Sequence, residues 1–311
     1  MQLKEYESNV LKTLYEIAFN KLPQQSITVF LIGPSLKNKE KNIREKVRKE
    51  LSKKVTYYFS SEVYYPEYLF DELMQGRKKF DLLDLENMLA TSVHAVVILL
   101  KSAGAIAELG AFANNEKLSK KLIVVVDKKY RRKNNFIILG PVRHIIEQDK
   151  KRVIFYDFDK GDDKKLCEQL RGEIKSIVKK TDVDMNLSNP LALQNFILVL
   201  LFVAGPLSRK QLMGILKFSQ KYEAENEVSA YLEHETKLIG TVVKILLNNK
   251  LIQLQKADDD SVEYVLTVFG KKRLLEIIGL NKIGPGIIKA INKERVCVLN
   301  FERKNVKLFS D

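Results

Sequence analysis

Short apolar runs alternate with stretches of helical periodicity from the start of the chain up to Thr181. Ile27–Ile32, Val55–Phe59, Ala95–Leu100, Leu122–Val126 and Val153–Tyr156 are rich in Val and Ile and carry no internal polar alternation. Such runs read as strands buried on both faces. Between them, apolar residues recur at helical spacing. Residues 3–19 carry Tyr6, Val10, Leu14, Ile17 and Ala18, and Leu82–Val93 carries Leu82, Leu85, Met88 and Leu89. Lys37–Lys54 places Ile43, Val47 and Leu51 on one face, with Lys39, Lys41, Arg44, Lys46, Arg48 and Lys49 covering the rest. A further helix is predicted over 163–179. Strands alternating with helices predict an α/β fold built on a doubly wound parallel sheet.

The pattern changes at Thr181–Pro190, which is polar and rich in turn residues. A domain boundary there separates residues 1–182 from 183–311. Beyond it the spacing predicts helices over 191–203, 209–218 and about 235–249. The strands Leu251–Gln255 and Val262–Leu266 follow, then a helix over Lys271–Ile278. Three helices, a hairpin and a closing helix form the order of a winged helix. Such a domain usually reads DNA with its third helix and its wing. Here Glu233 and Glu235 precede the third helix, and Asp258, Asp259, Asp260 and Glu263 lie on the wing. Carboxylates repel phosphates, so the pattern favours protein docking or assembly over sequence-specific DNA reading.

A chain of 311 residues is long enough for about two domains and needs no covalent staples. Cys167 and Cys297 are far apart, and with three histidines no zinc set forms, so no metal is expected. Both cysteines read as small buried residues of a reducing compartment. The longest apolar run, Phe196–Val203, is too short to span a bilayer. The expectation is a soluble, cytoplasmic protein with no membrane partner. The formal charge of +14 and the pI near 9.4 bring a polyanion into the picture. The best nucleic-acid surface is Lys128, Lys129, Arg131, Arg132 and Lys133, where Tyr130 interrupts the cations directly after a strand. A solvated face explains the same run equally well.

The candidate chemistry lies in Ser102–Phe112, which follows the run Ala95–Leu100. A Gly-containing strand-to-helix loop allows close approach of a ligand, and helix amides favour anions. Glu108 is expected inside the first helical turn, at the carboxyl end of a strand, where open α/β sheets bind ligands. A carboxylate there serves as a nucleophile or stabilises a cationic sugar, or is simply a favourable first-turn acid. Gly33-Pro34-Ser35 ends the first strand and offers a phosphate or ribose contact, without GxGxxG or a Walker pattern. Arg143 can clamp a pyrophosphate or make an ion pair. His94, His144 and His234 lack a spaced partner.

These residues resemble the nucleoside 2-deoxyribosyltransferase-like family in Glu108-Leu109-Gly110-Ala111. More narrowly, they resemble the ribosyltransferase-like effectors encoded beside bacterial retrons. That likeness rests on Tyr65-Pro66-Glu67, Leu69-Phe70-Asp71, Leu85-Glu86-Asn87, Asn114-Asn115-Glu116 and Gly140-Pro141-Val142-Arg143. It covers roughly residues 25–150 well and the C-terminal half in architecture. The resemblance implies that Glu108 is the nucleophile and that Glu86 lines the sugar pocket. Ser102 stands where deoxyribosyltransferases carry a base-recognising Asp, and His94 where the family usually has an Asp. The first departure argues against nucleobase exchange and for a leaving group such as nicotinamide. NAD is then the substrate and no separate cofactor is needed.

On this reading Glu108 and Glu86 are catalytic, and Gly33, Ser102, Gly104, Tyr65, Asn114 and Arg143 bind substrate. The resemblance also implies a retron antiphage effector. A complex with reverse transcriptase and its multicopy single-stranded DNA–RNA hybrid would hold it inactive, with a homo-oligomer or larger assembly left open. The competing readings are a non-enzymatic nucleotide sensor and a winged-helix nucleic-acid-binding regulator.

Overall fold

The computed structural model describes residues 3–21, 27–36, 42–53, 61–67, 92–132, 135–183, 185–224, 232–257, 261–278, 289–293 and 295. The chain forms two compact units, residues 27–184 and residues 1–26 with 185–311.

The first unit is an α/β layer structure. Strands β1 (Ile27–Ile32), β2 (Ser61–Tyr64), β3 (Ala95–Leu99), β4 (Leu122–Asp127) and β5 (Val153–Tyr156) form one parallel sheet in the order β2-β1-β3-β4-β5. Val29 pairs with Ala95, Val96 with Leu122 and Val124 with Val153. The β3 residues are all buried, as a strand covered on both faces requires. Val29, Leu31, Val97, Leu99, Ile123 and Val125 share a core with α2 (Ile43–Leu51) and with the helix Asp163–Val178.

Helix α2 starts where Asn42 accepts the Arg44 amide at 2.9 Å, so it is shorter than the basic stretch predicts. Lys39 and Lys41 lie outside the described residues, as do the strand expected at Val55–Phe59 and most of the helix expected over Leu82–Val93. The described β2 lies further on, at Ser61–Tyr64. After β3 come α3 (Ala103–Ala113) and α4 (Glu116–Ser119). A wide-turned segment, Ile138–Val142, leads into α5 (Arg143–Gln148), and α6 is Asp163–Val178. Asp162 caps α6 by accepting the amides of Lys164 and Lys165. Cys167 is fully buried in the core, and burial pushes its thiol up to about 12, so it is inert.

The second unit includes the leading helix α1 (Leu3–Tyr15), which continues in wider turns to Lys21. That helix, expected with the sheet, instead joins the C-terminal unit. The cause is aromatic packing: the Phe19 ring lies 5.3 Å from that of Phe196 and 4.5 Å from that of Tyr15. Phe196 belongs to α7 (Pro190–Ala204), which Asn189 caps through the Leu191 and Ala192 amides, with Pro190 in the first turn. The strand β6 (Leu207–Ser208) follows, then α8 (Arg209–Ala224), α9 (Leu232–Asn248), the hairpin β7 (Ile252–Lys256) and β8 (Val262–Leu266), and α10 (Val268–Ile278). β6 pairs antiparallel with β8, which gives a three-stranded sheet in the order β6-β8-β7. Two residues of strand are too few to leave a periodic trace in the sequence. Gly270 sits where a methyl group would overlap the Leu251 carbonyl oxygen. Among the described residues, no helix is long and apolar enough to cross a membrane.

Candidate functional site

The sheet order reverses between β1 and β3, and ligands of open α/β sheets bind outside the strand carboxyl ends at such a point. Gly33 leaves β1 at that place. A Cβ on it would lie 3.1 Å from Leu99 Cβ and 3.5 Å from Arg44 Cδ, so a side chain there would crowd β3 and α2. Its place at the end of the first strand follows the sequence expectation, and the packing alone accounts for its being glycine.

Ser102 opens α3 in extended conformation, and its Oγ accepts the Ala105 amide at 3.2 Å. It is the helix N-cap. Gly104 is exposed with open space around it, so the first turn presents bare backbone to solvent. Glu108 falls in the second turn, because the helix begins at Ala103, and the first turn carries no acid. This corrects the expected first-turn position and removes the dipole argument, since that effect fades within one turn. Asn114 is the C-cap of α3, exposed and about 18 Å from Ser102 along a helix rising 1.5 Å per residue. That separation takes it away from the strand ends and from the pocket role expected of it.

A cavity of about 360 Å³ opens at the carboxyl ends of β3 and β4. Leu100, Ser102 and Ile106 line one side, and Asp127, Tyr130 and Ile138 the other. Of the expected site residues it takes in Ser102 and Lys129, but not Glu108, Gly33 or Gly104. The geometry of α3 explains the split. Two residues at about 100° each turn Glu108 roughly 160° away from Ile106 around the helix axis. Ala105, Leu109 and Phe112 are buried between these two flanks. Ile106 therefore faces the cavity on the β4 side, and Glu108 lies on the opposite flank of the helix. Asp127 is the cavity residue that sequence reasoning passed over. Its signal is a carboxylate ending an apolar strand.

Beside the crevice lies a buried ionic cluster that the sequence reading missed. Arg44 is 1% exposed, not part of a solvated basic face. Its Nε and Nη2 donate to the Leu31 carbonyl at 2.9 and 2.6 Å, and its fork reaches both oxygens of Glu67. Tyr65 lies beneath it, the guanidinium 4.6 Å from the ring centre. Tyr65 is itself buried, and its hydroxyl donates to Glu45 at 2.6 Å, so it is a core residue and does not line the cavity. Burial raises the Tyr65 phenol above its ordinary range. The Arg48 hydrogen bond holds the Glu45 carboxyl down at about 2. The missed signal is the i, i+3, i+7 spacing of Arg44, Val47 and Leu51, which puts the arginine on the apolar stripe.

Glu86 and Lys133 lie outside the described residues. Arg143 is exposed and pairs with Glu147 at 2.8 Å, one turn along α5, which is the ion-pair alternative. Lys129 is bound by Asp127 at 2.8 Å, while Lys128, Arg131 and Arg132 project into solvent. His94 accepts the Thr28 amide on Nδ1 at 3.0 Å, at the amino end of β3, opposite the switch crevice. Burial, with the Lys121 cation adding to it, brings its imidazole down to about 4.

These features define an open, parallel α/β protein with a cavity at the carboxyl ends of its central strands β3 and β4. More particularly, the chain belongs to the STM3845 retron effector protein family, which matches residues 40–254. It is 27% identical over 322 residues to the "Retron Ec86 putative ribosyltransferase/DNA-binding protein" of Escherichia coli, covering 98% of this chain and 95% of that one. It is also 27% identical over 207 residues to the "Retron Ec73 putative ribosyltransferase/DNA-binding protein" of Escherichia coli, covering 60% of this chain and 65% of its relative.

Proposed function

We propose that this retron effector cleaves the N-glycosidic bond of a nucleotide, with NAD as substrate and nicotinamide as leaving group. The observation that carries the reading is the position of Glu108 on α3, the helix that directly follows the switch-point strand β3. The ribosyltransferase names of the two relatives support it. In this reading the fold of the first unit is nucleoside deoxyribosyltransferase-like. Glu108 attacks or stabilises the anomeric carbon while the bond to the nicotinamide nitrogen breaks and its electron pair leaves with the ring. Water completes the reaction, and Glu86 orients the ribose hydroxyls. Bare backbone at Gly104 leaves room for ribose and phosphate.

The C-terminal order of helix, strand, two helices, hairpin and helix supports a winged-helix domain. In the resting assembly, reverse transcriptase and its DNA–RNA hybrid hold the enzyme inactive. The exposed cations Lys128, Arg131 and Arg132 form the nucleic-acid face. Chromatography of NAD incubated with the purified chain tests the chemistry. Glu108→Gln lowers nicotinamide release by at least about 100-fold with the fold intact. Release at the wild-type rate from this variant overturns the assignment.

A further inference from the structure

Phe136 is 86% exposed, more than any other large apolar side chain among the described residues. Its backbone is nevertheless fixed, because Asn135 caps the following turn by accepting the Ile138 amide at 3.0 Å. The neighbours Asn135 and Ile137 line the same cavity as Lys129 and Tyr130, so the ring stands at the rim of the β4 exit. Lys128, Arg131 and Arg132 are exposed on that exit, and the Arg131 guanidinium lies 5.6 Å from the centre of the Phe155 ring. An exposed aromatic ring on the same strand exit as several exposed cations matches one ligand chemistry: a polyanion with unpaired flat faces. A duplex hides its base faces in its own stack, whereas a single strand offers them. An apolar protein surface would cover the ring but would leave the cations without a counterpart.

We propose that Phe136 is a base-stacking platform for single-stranded nucleic acid, with the phosphates held by Lys128, Arg131 and Arg132. This rests on the reading of that segment as the nucleic-acid face. Stacking on one ring is sequence-tolerant, so the site selects unpaired strand over duplex and not one sequence over another.

The chain contains no Trp, so Phe136→Trp introduces a sole tryptophan, excited selectively at about 295 nm, at the site. The full chain is titrated at several salt concentrations with an oligodeoxythymidylate of about 12 nucleotides and with a duplex of the same length. Phe136→Ala weakens single-strand binding about tenfold, leaves the salt slope unchanged because no charge is removed, and leaves duplex binding alone. Phe136→Trp restores affinity, and its fluorescence is quenched at saturation. Wild-type affinity in Phe136→Ala, an equal loss for duplex, or an unquenched Phe136→Trp overturns the platform. Replacing Lys128, Arg131 and Arg132 with Gln separates the two ideas. An unchanged salt slope there overturns the nucleic-acid face itself.

Discussion

Arg44 places two hydrogen bonds on one acceptor, the carbonyl oxygen of Leu31. Leu31 is the penultimate residue of β1, so the guanidinium fixes the strand where it leaves the sheet at the switch point. Glu67 completes the arrangement by holding the other side of the fork.

Arg44→Met therefore removes the support of the β1 exit. It is expected to lower stability by about 2–4 kcal/mol, because a buried charged donor is lost and its partners are left behind. Arg44→Lys does not rescue it, since a point charge cannot make the forked contact. Glu67→Gln costs less, about 1 kcal/mol, because that carboxylate is half exposed. Denaturant midpoints check the order of the three variants.

The Ser102 hydroxyl is committed to capping α3. Ser102→Ala is expected to cost about 1 kcal/mol, while Ser102→Asp, also a good cap, costs less than about 0.5 kcal/mol. That makes Ser102→Asp a clean probe of specificity. With serine present, the chain releases nicotinamide from NAD and does not exchange thymine for adenine between deoxynucleosides. Chromatography showing efficient exchange and no nicotinamide in the wild-type chain would place the activity with the deoxyribosyltransferases instead.

His94 makes stability depend on mild acid. Its imidazole is held at about 4 against an ordinary 6.5, so between these values the unfolded chain binds a proton that the folded chain does not. The contribution is complete above about pH 6.5 and is lost as the pH falls toward 4, amounting to roughly 3 kcal/mol over that window. His94→Gln, which has no such proton, shows a flatter profile between pH 6.5 and 4 in denaturant titrations. The Glu45 carboxyl acts lower. Held at about 2, it withdraws its stabilisation only as the pH falls from about 4.5 toward 2.

Gly270 lets the first turn of α10 rest against the Leu251 carbonyl at the base of the hairpin. Gly270→Ala is expected to destabilise the C-terminal unit by about 1–3 kcal/mol through overpacking, although alanine favours helices elsewhere. Thermal melts of the full chain, read by near-ultraviolet circular dichroism, check the effect. An unchanged or raised Tm would show that the hairpin moves aside freely.

The periodicity of apolar residues determined much of this fold. The spans of β1, β5 and β8 and of α6 and α7 were legible to within a residue or two, because a strand buried on both faces and a helix with one apolar stripe leave distinct repeats. The polar, turn-rich Thr181–Pro190 likewise marked where α7 begins, and there Asn189 caps the helix. The sequence also placed a carboxylate, Glu108, just beyond the central strand. It could not show which way that carboxylate turns. The first helical residue sets the turn, and an offset of two residues sends Glu108 and Ile106 to opposite flanks. The spacing of Arg44 with Val47 and Leu51 put it on the apolar stripe, but only the approach of Leu31, Tyr65 and Glu67 from distant positions shows what buries it. The place of α1 was decided in the same way, by rings of Tyr15 and Phe19 meeting Phe196 across more than half of the chain. Local pattern determines elements, whereas contacts between distant residues decide which face of each element is used.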